Sequence, residues 1–161
     1  MSQQIDWGVA SAADLGGKDG LTIIQQIMSG DLPAPPMAKT LSLRITKAEI
    51  GKVTFTGTPR FDYYNPAGTI HGGWTATLLD SALGCAVQTT LSAGEIYTTV
   101  DFSMSLTRAI FENTGDVTCV AQVLHRGRRI STVEAKAYDK NGKLLAHGTE
   151  TCAILGNQPV K

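Results

Sequence analysis

Asp80 follows His71 by nine residues, inside the run Asn65-Pro-Ala-Gly-Thr-Ile-His-Gly-Gly-Trp-Thr-Ala-Thr-Leu-Leu-Asp80. His71-Gly72-Gly73 reads as the start of a helix. A helix start carries unpaired backbone N–H groups and a partial positive charge. Asp80 then falls about two turns further along the same helix. Donors able to hold an oxyanion, followed by a carboxylate able to activate water, suit acyl transfer to water. An ordinary aspartate, with a pKa of ~3.9, is ionised and ready as a base at neutral pH.

At roughly 100° per residue, Gly73, Thr77, Asp80 and Gly84 fall within about 60° of one another. Small residues on that face leave room for a ligand or a neighbouring chain, which makes Thr77 a candidate substrate contact. Trp74, Leu78, Ala82, Cys85 and Ala86 fall on an apolar side that a sheet would cover. By this count Cys85 faces away from Asp80. The competing reading is a buried helix whose lone carboxylate is satisfied locally. The paired glycines and the small-residue face weigh against it.

Other polar residues carry weaker signals. Asn65-Pro66 is also a common turn opener, and His71 could simply cap the helix. Thr99 lies on the polar face of a strand, where cross-strand packing is the plainer role. Arg126, Arg128 and Arg129 flank Gly127, and their guanidinium groups could hold phosphates or form a solvated turn. Cys85, Cys119 and Cys152 lack metal-ligand spacing and read as packed thiols.

These residues must be positioned by one ordinary domain, because the chain has 161 residues, 42% of them hydrophobic. Fourteen basic and fourteen acidic side chains balance, which argues against a broad nucleic-acid surface. No apolar run reaches the length of a membrane span. The N-terminus lacks the basic and apolar regions of a signal peptide, so the expected compartment is cytoplasmic.

Residues 1–18 are rich in Ala, Gly, Ser and Asp and read as a flexible lead; residues 19–157 form the expected single domain. Leu21–Met28 is a short helix stopped by Ser29-Gly30 and by Pro33, Pro35 and Pro36. Strand patterns follow at Leu41–Thr46 and Val53–Thr56, then a loop from Pro59 to Gly68. The one long helix is expected over roughly 71–91. Beyond it, Ile96–Thr107 shows the cleanest period-two alternation. Ile96, Thr98, Val100, Phe102, Met104 and Leu106 take one face, while Tyr97, Thr99 and Asp101 take the other. Further strands are expected at Val117–Val123, Ile130–Tyr138 and Leu144–Leu155, with a hairpin at Asn141-Gly142. This is an α+β pattern, an antiparallel sheet of five to six strands curled around one long central helix. Its exposed edges make pairing with a second copy expected.

The motif Asn65-x-x-Gly68-x-x-His71-Gly-Gly, followed by Leu78-Leu79-Asp80-Ser81-Ala82-x-Gly84, resembles the signature of the hotdog-fold thioesterases, in particular the phenylacetate-pathway (PaaI-like) family. The similarity runs over roughly residues 20–155. The resemblance implies the hotdog fold, a homodimer or homotetramer, and hydrolysis of acyl-CoA without metal or other cofactor, CoA being part of the substrate. It implies that Asp80 is the catalytic carboxylate, as base or nucleophile. It implies that Gly73 and Gly72 offer N–H to the thioester oxygen and that Asn65 binds the carbonyl or orients water. His71 would stand beside the donors, and Thr99 would hold the attacking water. Asp80 and Thr99 of one subunit would face Asn65 and Gly73 of the other. Arg128 and Arg129 would be candidates for the CoA phosphates. Two rivals stay open: a hydratase or dehydratase using His71 with Asp80, and a domain that binds acyl-CoA without turnover. Phe61, Tyr63, Tyr64 and Trp74 suit an aromatic acyl group or ordinary packing alike.

Overall fold

The computed structural model describes residues 5–156. A six-stranded antiparallel sheet is ordered β1-β2-β4-β5-β6-β3. The strands are β1 (Leu43–Glu49), β2 (Lys52–Gly57), β3 (Ile96–Leu106), β4 (Val117–Arg126), β5 (Ile130–Tyr138) and β6 (Leu144–Leu155). Three short helices precede them: α1 (Ala12–Leu15), α2 (Gly20–Ser29) and α3 (Pro36–Thr40). The long helix α4 (Gly72–Gln88) touches all six strands. This is the hotdog arrangement that the sequence leads one to expect.

The helix sits inside the sheet because its apolar side is continuous. Leu78, Leu79, Ala82, Leu83, Ala86 and Val87 are fully buried, against Val117, Cys119 and Ala121 of β4 and Val133, Ala135 and Ala137 of β5. Each fully buried leucine contributes on the order of 2 kcal/mol relative to exposure. α4 is shorter than expected. It ends at a cap on Thr89, and two further turn bonds, Thr90 N–H to Val87 O and Leu91 N–H to Gln88 O, carry the chain onward.

α2 starts at Asp19, whose carboxylate accepts from Thr22 N–H at 2.9 Å, and stops at Gly30 in the left-handed region (φ 83°). Its first residue, Gly20, lies so close to the end of α4 that an added Cβ would stand 1.7 Å from Gln88 O. The loop expected from Pro59 holds a 3-10 turn, Phe61–Tyr63. At the β5–β6 hairpin, Asp139 Oδ1 accepts from Asn141 and Lys143 N–H, with Gly142 at φ 75°.

β3 departs from the uniform alternation expected of it. Its register against β6 slips between Thr99 and Asp101. A bulge of one residue changes which parity faces inward. Tyr97 therefore packs inward before the bulge and Phe102 and Met104 after it, while Val100 is 58% exposed.

The lead is joined to the body at residues 6–8. Ala34 N–H donates to Asp6 O at 2.8 Å, and Gly8 N–H donates to Ala34 O at 2.9 Å. Among the described residues, no helix is long and apolar enough to cross a membrane.

Candidate active site

Asp80 projects from the middle of α4 into an apolar cavity of about 450 Å³. Ile27 and Met28 of α2, Pro35, Leu43 and Ile45 of β1, and Phe55 of β2 line it. Ile5 and Trp7 of the lead also line it. The proline pair and the Leu21–Met28 helix thus wall the pocket in part, through Pro35, Ile27 and Met28. Asp80 still reaches solvent in the single chain. Partial desolvation of its carboxyl raises its pKa above the ordinary aspartate value.

Cys85 differs from the angle count. It packs against the core, yet it also lines the Asp80 cavity beside Ser81 and Tyr97. The cavity spans a wide arc of α4, reaching from the Asp80 face to the edge of the apolar stripe. Burial and the nearby carboxylates push the Cys85 thiol up to about 12. A thiol so placed stays protonated at neutral pH and is a poor nucleophile. Gly84 admits the Tyr97 ring, since an added Cβ would meet its hydroxyl at 2.3 Å.

His71 is the N-cap of α4. Its Nδ1 accepts from Gly73 N–H at 2.8 Å. The imidazole thus occupies one of the donors expected to hold a thioester oxygen. His71, Gly73 and Thr77 line a separate recess with Tyr63, Tyr64 and Trp74. The aromatic residues there are largely structural. Tyr63 stacks on Trp74, Trp74 Nε1–H donates to Leu41 O, and Tyr64 Oη accepts from Glu112 N–H. None of them lines the Asp80 cavity.

Asn65 and Gly72 border a third hollow with Thr69 and Arg108. The Asn65 amide oxygen accepts from Ala67 and Thr69 N–H, at 2.9 and 3.2 Å, and its Nδ2 donates to Thr69 Oγ1. Within one chain Asn65, His71 and Gly73 thus line other hollows than the one Asp80 lines.

Thr99 leads to a residue the sequence reading missed. Its hydroxyl donates to Glu150 Oε1 at 2.6 Å. Glu150 is 1% exposed, and Cys152 Sγ donates to the same oxygen at 3.0 Å. Desolvation raises the Glu150 pKa, and the charge of Asp80 acts in the same sense. The detectable signal was phase: Glu150 falls in the inward row Ala146, Gly148, Glu150, Cys152, Ile154 of β6.

The arginines at the β4–β5 turn divide. Arg126 grips Glu95 with Nη2 at 2.9 and 2.8 Å and so belongs to the fold. Arg128 and Arg129 are exposed. Among the described residues no group of three or more His, Cys, Asp or Glu is arranged to hold a metal ion.

Residues 67–146, which include Asp80, match the sequence model of the thioesterase superfamily. Over 93 residues the chain is 32% identical to the proofreading thioesterase EntH of Cronobacter sakazakii, covering 58% of this chain and 66% of that protein. The chain spans less than two thirds of the length of the curated relatives it matches. Among solved structures, a phenylacetic acid degradation-related protein of Ralstonia eutropha JMP134 superposes with a TM-score of 0.74 at 26% identity, covering 81% of this chain and 98% of that one. The PaaI protein of the E. coli phenylacetic acid degradation operon superposes equally, with a TM-score of 0.74 at 21% identity over 85% of this chain and 94% of its own. At that identity the second likeness speaks for the fold. The fold is thus the hotdog fold, and residues 67–146 carry the likeness to the thioesterase superfamily.

Proposed function

We propose that this chain hydrolyses an acyl-CoA thioester to a free acid and CoA. The observation that carries the proposal is Asp80, a carboxylate on the central helix that opens into an apolar cavity of about 450 Å³. Apolar pockets of this scale with few polar groups are the usual ligand sites. Asp80 takes a proton from water as the water oxygen bonds the acyl carbon. The carbon–sulfur bond then breaks, and the leaving thiolate takes the proton back. For the start of α4 to stabilise the oxyanion, the Gly73 N–H must exchange His71 Nδ1 for the thioester oxygen, a bond that strengthens as charge develops.

The site is completed by a second copy of the chain. In one chain Asp80 and the recesses holding His71, Gly73, Thr77, Asn65 and Gly72 lie in separate hollows. The β3 edge, where Val100 and Leu106 are 58% and 52% exposed, supplies the surface for pairing. Arg128 and Arg129, both exposed, are the cations proposed for the CoA phosphates. The required chemistry uses no metal or separate cofactor, and the proposed compartment is the cytoplasm.

The hydratase alternative would bring His71 to Asp80 across the same pairing of two copies, so the identity of the product separates it from hydrolysis. The test is product analysis with aryl-, alkyl- and crotonyl-CoA. Free thiol with the matching acid supports hydrolysis. A hydroxyacyl thioester without free thiol identifies a hydratase. Tight binding without any product identifies a sensor.

A further inference from the structure

Glu150 is buried to 1% exposure and opposes Phe102 on β3 and Val133 on β5. None of the ion pairs among the described residues includes it. Oε1 accepts from Thr99 Oγ1 and Cys152 Sγ, while Oε2 has no partner. The titratable groups around it are Asp80 and Cys85 from α4, Tyr97 from β3 and Cys152 from β6. None of these supplies a positive charge. An ionised carboxylate in such surroundings would leave one oxygen unsolvated and its charge uncompensated, which is costly. Holding the proton on Oε2 removes the charge, the larger part of that cost, and leaves Oε1 as the acceptor.

We propose that Glu150 is a neutral carboxylic acid that orients the Thr99 hydroxyl, and so serves as a positioning residue for the attacking water. The proposal rests on the reading of Asp80 as the base in thioester hydrolysis. A hydroxyl has one proton and two lone pairs. The Thr99 proton is committed to Glu150, so its oxygen can only accept from other groups. With Thr99 as the holder of the attacking water, the role the resemblance implies, a water between Thr99 Oγ1 and the Asp80 carboxylate would donate one proton to each. Its lone pair is then left for the acyl carbon. Without Glu150 the Thr99 hydroxyl can rotate and donate to the water instead, which turns that lone pair away from the substrate.

The test compares Glu150→Gln, Glu150→Leu, Thr99→Val and the double variant Thr99→Val with Glu150→Leu. Glu150→Gln mimics a neutral acid and keeps kcat within about threefold, whereas Glu150→Leu loses about ten- to a hundredfold in kcat with KM nearly unchanged. Thr99→Val loses a similar amount, and the double variant is no worse than either single one, because both act through one water. The acidic limb of the kcat–pH profile of Glu150→Gln coincides with that of wild type. An ionised Glu150 would instead make that limb move to lower pH on substitution. Infrared spectroscopy of wild type at neutral pH shows a protonated-carboxyl band that Glu150→Gln lacks. That band is read without turnover and without the Leu variant having to fold. Its absence, a moved limb, additive losses, or equal damage from Gln and Leu would overturn the proposal. Absence of thiol release by wild type would overturn the hydrolase reading instead.

Discussion

Asp80 does two opposed things. Its placement among apolar side chains would ready it as the proposed base, and the same placement costs stability. Its pKa is raised in the folded chain, so the unfolded chain ionises first as pH rises. Stability is fully present below the ordinary aspartate pKa and falls as pH climbs through the raised folded value. Asp80→Asn removes that loss. It is predicted to melt above wild type at neutral pH, with the difference closing in acid; thermal melts across pH check this, and a lower neutral Tm would contradict it. The rate follows the same group in the opposite sense. Activity needs ionised Asp80, so its acidic limb should lie above the ordinary range of ~3.9. At this scale the His71–Asp80 spacing was legible, because a cap and a carboxylate on one helix need only sequence arithmetic. The hydrogen bond from Gly73 to His71 was not, since it depends on the imidazole rotamer. Glu150 escaped because a carboxylate in the inward row of a strand shows itself only once the strand's phase is known.

Elements were legible where local pattern decided them. The α2 helix lies between Asp19 and Gly30 as its capping residues indicate, and the four later strands occur where alternation and turns put them. The β3 bulge was hidden because its flanking residues still alternate in type on both sides. Its consequence is functional, since the register slip next to Thr99 accompanies the bond to Glu150 on β6. The packing of α2 on the end of α4 was equally invisible, being a long-range approach that only Gly20 permits. Gly20→Ala must separate backbone from backbone there and should cost about 1–3 kcal/mol. A thermal melt should show a clear fall in Tm; an unchanged Tm would mean the two helices can part freely. Gly84→Ala is a milder case, because it displaces the Tyr97 ring in the Asp80 cavity. It should raise KM for the bulkiest acyl groups more than for acetyl-CoA.

The candidate site residues of one chain line separate hollows, and the proposed remedy is a second copy. That arrangement makes a prediction one chain alone cannot satisfy. Asp80→Asn and Asn65→Ala should each be inactive by themselves. Mixed and reassembled as random dimers, they should recover about a quarter of the wild-type rate, since half the dimers are mixed and each mixed dimer has one intact site. No recovery, with mixed dimers shown to form, would put each site within a single chain. Light scattering should give at least twice the mass of one chain, and a lysine at Val100 should lower that mass and the activity together. The strand pattern led to the expectation that a sheet with exposed edges pairs with a second copy, and pairing at β3 is our proposal. Which residues would share a site came only from the family resemblance, because separation in space leaves no trace in local pattern.

The most direct measurement is the rate of free-thiol release from an acyl-CoA by wild type and by Asp80→Asn at neutral pH. Wild type should release thiol steadily, and the variant should lose about a hundredfold or more in kcat, the scale of general-base contributions. A variant that releases thiol as fast as wild type would contradict the central place given to Asp80.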